Sequence, residues 1–416
     1  MYGSISPEFV FILTIQPANA YMNQPSLTRY RITSIDILRG IVMVIMALDH
    51  TRDFFHSTAM TDDPTNMATT WPALFFTRWI THFCAPVFVF LSGTAAFLNG
   101  QKKTTAQLAG FLLKRGCWLI FVEIALISLG LTFNPFYNFI LFQVIWAIGI
   151  SMVLLSFLVR LPFRTLLAIG LLIFFCHNLL DYPEASRMGK INLFWGMLHG
   201  RNTIIQLNPT HIIFVAYSFL PWTGLMILGY CCGRLFTPQT DPLFRRKILL
   251  RTGFCLISLF IALRFINAYG DPFPWTVQRN SIISFLSFLN VNKYPPSLMY
   301  SCMTIGPALI ALALFENIQN SFTRFFTVYG RVPFFYYILH FYLIHFICVI
   351  FFFSLGHSMK DAFGPTIPFG FRPATFGYSL WVVYLIWIFV VLSLYPLCKK
   401  YNRYKSTHRQ WWLSYL

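Results

Sequence analysis

Four ionisable residues occur within five positions near residue 50: Asp49, His50, Arg52 and Asp53. On a helix, side chains three or four positions apart lie on the same face, which brings Asp53 close to both His50 and Asp49. A carboxylate beside an imidazole fixes the tautomer of the ring and raises its basicity, which is how a general base is built. The cluster therefore predicts acid–base chemistry, with His50 as the base and Asp53 or Asp49 as the group that orients it.

The same residues also have a purely structural interpretation. They follow nine uncharged residues, positions 40–48, so segment 31–56 is predicted to be a membrane-spanning helix with charges at both ends. Charged side chains at such an end extend to the membrane interface and form ion pairs there. Near the other end, Arg39 precedes His50 by eleven residues and lies on nearly the same helix face, about 16 Å away along the axis. Both interpretations stay open on these residues alone.

The composition indicates a polytopic membrane protein. Of the 416 residues, 57% are hydrophobic and only 11% are charged, and the mean hydropathy is +0.62. Soluble domains contain about 25% charged residues. The net charge of +18 would suggest nucleic acid as a partner of a soluble protein, but here the basic residues cluster in short loops between apolar segments. We therefore expect a lipid bilayer and no nucleic acid as partner.

The cysteines give no sign of a metal site or a disulfide framework. There are nine of them, without CxxC or Cys/His metal spacing. Most lie within apolar segments, where a thiol behaves as a small hydrophobic group. We expect no metal.

Ten apolar segments are long enough to cross a membrane, which predicts an all-α fold of about ten transmembrane helices. They cover about residues 34–55, 73–98, 110–131, 138–159, 163–180, 210–231, 247–268, 297–316, 332–354 and 376–397. Residues 31–397 are thus expected to form one membrane domain, followed by a basic C-terminal tail at 398–416. Residues 1–30 are interpreted as an N-terminal tail, either a gene-model extension before Met22, a disordered tail or a signal-like segment.

The loops between these segments alternate in charge. One set is basic, near residues 29–31, 102–115, 160–164, 234–247, 324–331 and 399–409. The intervening loops are mostly longer and carry few basic residues. The positive-inside rule then places the basic loops and both termini in the cytoplasm.

Other polar residues lie within the apolar segments. Glu123 is expected to face the bundle interior or to pair with a basic group, and Arg78 and His82 lie four positions apart on the second segment. His340 and His345 are five apart and point about 140° away from each other, so they cannot bind one metal as a helical pair. Either could line a cavity or act as a hydrogen-bonded packing residue.

Three stretches of the chain resemble known membrane acyltransferases. SIDILRGIVMVIMALDH, residues 34–50, contains an SxDxxRG opening similar to the N-terminal catalytic block of the heparan-alpha-glucosaminide N-acetyltransferase family. The Arg-x10-His spacing of Arg39 and His50 is similar to that of acyltransferase family 3. VNKYPPSLMY at 291–300 and YGRVPFFYYILHFYLIH at 329–345 resemble bacterial relatives of the heparan enzyme. The chain is identified as a member of this family from residue 31 to about 345.

This resemblance implies a fold of ten or eleven spans and an acetyltransferase activity. Acetyl-CoA would enter from the cytoplasm, and a sugar, glycan or other small acceptor would be acetylated on the opposite face. The implied compartment is a bacterial inner (plasma) membrane, and the heparan enzyme's relatives suggest a homodimer.

The resemblance also assigns roles to individual residues. His50 is expected to act as a general base or as a carrier of the acyl group. Arg39, Arg115 and Arg331 are expected to bind the phosphates of the CoA at the cytoplasmic end.

The position of the histidine is where this chain departs from the heparan enzyme. There, the catalytic histidine lies in the loop after the first span, where this chain has His56. His56 does not align cleanly with it, so His56 and His82 are kept as alternatives to His50.

Proton-coupled transport is the competing class, because intramembrane His, Asp, Glu and Arg residues also build transporters. Inverted repeats with broken helices would favour transport, and acetyl-CoA binding would favour the transferase. A scaffold of the cell envelope would tolerate substitution of both His50 and Arg39.

Overall fold

The computed structural model describes residues 32–186, 192–364, 369–373, 376–408 and 410–414, and this part of the chain is mostly helical. Its α-helices are α1 Thr33–Phe55, α2 Pro72–Thr81, α3 Cys84–Gly100, α4 Thr105–Val122, α5 Ser128–Thr132, α6 Val144–Leu158, α7 Phe163–Cys176, α8 Asp181–Ser186, α9 Leu193–Leu198, α10 Phe219–Cys232, α11 Pro242–Ile266, α12 Ser281–Leu289, α13 Leu298–Leu314, α14 Ser321–Arg331, α15 Pro333–Ser354 and α16 Leu380–Thr407. A π-helical stretch, Glu123–Ile127, joins α4 to α5. The predicted tail at 1–30 lies outside the described residues.

Among the residues that the structure describes, seven helical segments are long and apolar enough to cross a membrane. They are Pro72–Gly100, Phe163–Glu184, Phe219–Phe236, Pro242–Ile266, Leu298–Asn317, Pro333–Ser354 and Leu380–Thr407. Each overlaps one of the ten predicted segments, so the chain is an integral membrane protein. The other three predicted spans and the cytoplasmic location of the termini stay predictions.

The prediction of an all-α fold is wrong in one region, where three short strands form a sheet. The strands are β1 Phe139–Phe142, β2 Thr203–Asn208 and β3 His211–Val215. Their order is β1-β3-β2, with β1 parallel and β2 antiparallel to β3. The sequences FILF and HIIFV begin two of the predicted spans, because hydrophobic periodicity does not separate a short apolar strand from a buried helix.

Strand β1 also shortens the helix that follows it, α6. α6 has 15 residues, and at about 1.5 Å per residue it is roughly 22 Å long, less than the ~30 Å of a bilayer core.

Glu123 faces the bundle interior, as predicted, but its oxygens accept hydrogen bonds from the backbone N–H groups of Gln143 (3.2 Å) and Trp146 (3.0 Å). These two hydrogen bonds satisfy backbone N–H groups at the amino end of α6, so Glu123 is held here by the backbone and not by a basic group among the described residues.

α1 is the central helix of the bundle. It packs against α2, α3, α13, α14, α15 and α16, and most of its side chains are buried. Gly40 and Gly330 mark its closest approach to α14. A Cβ atom on Gly40 would collide with the carbonyl oxygen of Phe326, and one on Gly330 with that of Asp36. Small residues allow such backbone contact between membrane helices, which explains the glycines of the RG and YGR sequences.

The C-terminal helix continues through the predicted domain boundary. α16 runs from Leu380 to Thr407, so the basic tail predicted from residue 398 begins as helix. All nine cysteines are free thiols.

Candidate active site

A cavity of about 290 Å³ lies beside α1, between α3, α4, α6 and α15. Its walls are mostly apolar, but its lining includes four basic side chains: Arg39, Arg115, Arg331 and Lys405. The structure therefore brings together the three arginines that were predicted to bind CoA phosphates.

Asp36 holds two of these arginines at the crossing of α1 and α14. Its Oδ1 lies 3.5 Å from Nη1 of Arg39, and its Oδ2 lies 3.6 Å from Nε of Arg331. Nη1 of Arg39 also donates to the carbonyl oxygen of Gly330, at 3.1 Å. The SxDxxRG and YGR sequences thus form one junction, and the close contact of Gly40 with Gly330 sets the positions of both guanidinium groups.

His50 does not line this cavity, but two lining residues, Met43 and Tyr337, relate it to the cavity. Met43, one helical turn after Arg39, lines the cavity, and His50 follows seven residues later on the same face of α1. From the opposite side, Tyr337 of α15 also lines the cavity, and its ring meets that of His50 edge to face, with centroids 6.4 Å apart. The Tyr337 hydroxyl is buried and has no hydrogen-bond partner within the described chain.

His50 forms a hydrogen-bonded pair with His340 of α15. Nδ1 of His50 and Nε2 of His340 are 2.7 Å apart, and the other nitrogen of His340, Nδ1, lies 3.1 Å from the carbonyl oxygen of Tyr336. A carbonyl oxygen can only accept, so the hydrogen-bond network assigns the proton of neutral His340 to Nδ1. Nε2 of His340 then accepts from Nδ1–H of His50.

This chain of donors determines which nitrogen of His50 can accept a proton. With Nδ1 protonated, the lone pair lies on Nε2, which has no hydrogen-bond partner among the described residues. The ring is only partly buried and stacks on Phe341, with centroids 4.1 Å apart. Fixing one ring nitrogen in this way leaves the other available as a base.

The carboxylates beside His50 are held by arginines. Asp49 accepts hydrogen bonds from Nη2 of Arg52 (3.0 Å) and Nη1 of Arg78 (2.5 Å), and Asp53 accepts from Arg52 at 2.5 Å. Buried charges require such partners. Spacing along the helix predicted that Asp53 or Asp49 would orient His50, but the structure gives that contact to His340. The sequence did not reveal this pairing, because the two residues are 290 positions apart.

Lys293 and Tyr294 complete the polar group around Asp49. Nζ of Lys293 lies 4.0 Å from Asp49 Oδ2 and 5.1 Å from the centroid of the Tyr294 ring, while Nη2 of Arg78 donates to the Tyr294 hydroxyl at 3.5 Å. Burial raises the pKa of Tyr294, but the positive charges of Lys293 and Arg78 outweigh it and leave this pKa below its usual value. The VNKYPPSLMY segment therefore belongs to the surroundings of the candidate site.

His56, one alternative to His50, is buried in the turn that ends α1. Its Nδ1 accepts from the backbone N–H of Thr58, and its carbonyl oxygen accepts from Arg372 at 2.7 Å. Burial, with the nearby charges of Arg52 and Arg372, lowers its pKa. These contacts favour a role in holding the turn.

The backbone of His82 and the ring of His345 are held by hydrogen bonds to neighbouring segments. Because Pro86 has no N–H, the carbonyl of His82 has no helical donor, and it accepts instead from the Tyr300 hydroxyl at 2.7 Å. The two ring nitrogens of His345 lie 2.9 Å and 2.8 Å from the carbonyl oxygens of Gly130 and Gly370. His345 is thus the hydrogen-bonded packing residue that one interpretation expected.

A second histidine pair was missed in the sequence. His177 and His199 are buried with Asp181 and Glu184, and Glu184 Oε2 lies 3.3 Å from Nδ1 of His199. A signal existed: in HNLLDYPE the histidine and both carboxylates follow helical spacing at positions 177, 181 and 184. Helical spacing could not assign His199 to this group, because His199 lies in a separate turn.

The fold and the site define an integral membrane protein whose central helix contributes both an arginine to a basic cavity and one member of a histidine pair. The sequence model of the family described as heparan-alpha-glucosaminide N-acetyltransferase, catalytic, matches residues 31–263. The chain belongs to this family of membrane acetyltransferases. The match includes Arg39, His50 and Arg115 but ends before Arg331 and His340. No match to a curated protein was found.

Proposed function

We propose that this protein transfers an acetyl group from acetyl-CoA to a hydroxyl or amine of a sugar or glycan, with His50 as the general base. The observation that carries the proposal is a cavity lined by three arginines and by Tyr337, whose ring contacts His50 of the His50–His340 pair edge to face. Membership in an acetyltransferase family supports the same reaction and disfavours transport.

The cavity suits an acyl-CoA in both charge and polarity. Guanidinium groups form bidentate, charge-assisted hydrogen bonds with phosphates, and Arg39, Arg115 and Arg331 would bind the nucleotide end. The uncharged pantetheine arm would lie along the apolar wall, past Met43, so that the thioester reaches Tyr337. The basic loops around this end support a cytoplasmic location, and the acceptor would then enter from the other face of a bacterial inner membrane.

The chemical step follows from the tautomer of His50. Nε2 removes the proton of the acceptor hydroxyl or amine while the acceptor attacks the thioester carbonyl carbon. The Tyr337 hydroxyl, which has no other partner within the described chain, donates to the developing oxyanion. The C–S bond then breaks, and the proton on Nε2 passes to the CoA thiolate. In the alternative route, Nε2 attacks the thioester carbonyl carbon, the C–S bond breaks and CoA leaves as the thiolate. The acceptor hydroxyl or amine then attacks the acetyl group on His50, the C–N bond to Nε2 breaks, and the acceptor proton passes to the CoA thiolate.

Inside-out vesicles that contain wild-type protein, His50→Ala or His211→Gln test this proposal. His211 lies on β3 and makes no hydrogen bond to the His50–His340 pair, so His211→Gln is the matched histidine control. With labelled acetyl-CoA outside, wild type and His211→Gln should release CoA thiol and transfer label to a glycan or lipid-linked acceptor.

His50→Ala should insert into the membrane but transfer at least about 100-fold less label than wild type. Label on His50 itself, found by mass spectrometry, would select the covalent route. Full activity of His50→Ala would overturn the assignment of the base, and absence of acetyl-CoA binding by wild type would overturn the function.

A further inference from the structure

A buried group of ionisable side chains lies where α8 meets the turn after α9, and it shares no residue with the candidate active site. Asp181 and Glu184 lie on one turn of α8, and His199 follows α9. One ligand atom from each of these three residues lies within 4.8 Å of the other two. All three residues are buried.

Neighbouring donors orient both carboxylates. Asn178 Nδ2 donates to Asp181 Oδ2 at 2.7 Å, and the backbone N–H of Arg201 donates to Glu184 Oε1 at 3.0 Å. Asp181 Oδ1 accepts no hydrogen bond within the described chain and forms an ion pair with Arg201 Nη2 at 3.5 Å. Glu184 Oε2 lies 3.3 Å from Nδ1 of His199. Carboxylates that bind metals are usually oriented by hydrogen bonds in this way.

The other nitrogen of His199 is held in a manner typical of a metal-binding histidine. Nε2 lies 3.3 Å from Nδ1 of His177. When Nδ1 of His199 binds a cation, its Nε2–H can donate to His177, and this contact fixes the ring. The Thr203 hydroxyl, buried and without a partner in the described structure, lies against Gly200 beside His199. Neither this hydroxyl nor Asp181 Oδ1, which is in an ion pair with Arg201, has a hydrogen-bond partner among the described residues.

The carboxylates of the group also favour a cation. Among the described residues, Asp181 and Glu184 together face one guanidinium group, that of Arg201. Carboxylate oxygens and an imidazole are ligands that divalent metal ions take in proteins.

We propose that Asp181, Glu184 and His199 bind a divalent transition-metal ion, for which Zn²⁺ is the best-fitting candidate. Imidazole together with carboxylate oxygens suits Zn²⁺, whereas sites for Mg²⁺ and Ca²⁺ consist of oxygen ligands. The ion would connect α8 to the segment that leads into β2 and would stabilise this region. This site is independent of the proposed acetyl transfer.

The test measures metal in the purified full-length protein. Wild type, Glu184→Gln, His199→Gln and His211→Gln are expressed with zinc, purified through a tag without histidines, dialysed against metal-free buffer and analysed by mass spectrometry for metals. Wild type and the His211→Gln control should retain stoichiometric zinc, and Glu184→Gln and His199→Gln should lose it. His177→Gln should weaken binding by about 10- to 100-fold, the usual effect of losing the partner of a metal-bound histidine.

A second measurement covers variants that fail to fold. Wild type treated with chelator should show a lower melting temperature, and added Zn²⁺ should restore it. The proposal is overturned if wild type holds no stoichiometric metal and Zn²⁺ does not change its melting temperature. In that case, a hydrogen bond from His199 Nδ1–H to Glu184 accounts for the cluster. Stoichiometric zinc in Glu184→Gln would likewise exclude this ligand set.

Discussion

His50–His340 and His177–His199 are both histidine pairs between separate helical segments, yet their surroundings differ. In the first pair the nitrogens are 2.7 Å apart, and the far nitrogen of His340 faces a backbone carbonyl. In the second they are 3.3 Å apart, and the far nitrogen of His199 faces a carboxylate. A neutral carbonyl fixes the tautomer without adding charge, whereas a carboxylate adds negative charge that a cation can neutralise.

Access separates the two pairs further. His50 is partly exposed and meets Tyr337 of the cavity wall, but His199 is fully buried among carboxylates. A base must reach its substrate and then release the proton, while a structural metal site is closed. A pair of histidines therefore suits proton transfer at one site and metal binding at the other.

The largest expected effect comes from measuring acetyl transfer and zinc content in a variant of each of the two sites. His50→Ala should lower acetyl transfer by about 10²- to 10⁴-fold, the usual contribution of a general base, while its zinc content stays that of wild type. Glu184→Gln should lose zinc. Activity of each variant is measured per amount of folded protein, and zinc is measured by mass spectrometry. Loss of zinc in His50→Ala would show that the two pairs are coupled through the fold and are not independent sites.

Replacing one arginine of the cavity should change only the KM for acetyl-CoA, the acyl donor. Arg115→Gln is expected to raise the KM for acetyl-CoA by about 10- to 100-fold, because a hydrogen bond to a charged group contributes about 1.5–3 kcal/mol. Arg160→Gln is the matched control, since Arg160 lies in another basic loop and does not line the cavity. Steady-state kinetics with varied acetyl-CoA give the result. Equal KM values for the two variants would remove the cavity as the donor site.

The sequence allowed much of the bundle to be predicted, because long apolar segments have few alternatives to a membrane helix. It predicted one role for Arg39, Arg115 and Arg331 from their charge at the end of the bundle expected to be cytoplasmic, and the structure places them around one cavity. It missed β1 and β3, whose short apolar runs have no distinctive period. It also missed the partner of His50, because a contact between α1 and α15 depends on tertiary packing. The carboxylates of Asp49 and Asp53 were expected to orient His50. In the structure they accept hydrogen bonds from Arg52 and Arg78 instead.

The smallest predicted effect tests the contact that distinguishes the two pairs. His340→Gln removes the imidazole that accepts from Nδ1 of His50, and we expect kcat to fall about tenfold, since loss of one hydrogen bond to a charged group costs roughly 1.5 kcal/mol. The KM for acetyl-CoA should stay unchanged, because His340 is not among the side chains that line the cavity. Tyr342→Phe is the control, since it also removes one hydrogen bond of α15, to the carbonyl of Leu126.

A change confined to kcat in His340→Gln would establish His340 as a positioning residue that acts through His50. A merely structural role would instead lower the melting temperature of His340→Gln and Tyr342→Phe alike and leave kcat per folded protein unchanged. The combination with His50→Ala separates these cases. If His340 acts only through His50, the double variant should be no slower than His50→Ala, because residues that work as one unit are not additive. A further loss in the double variant would mean that His340 contributes independently of His50.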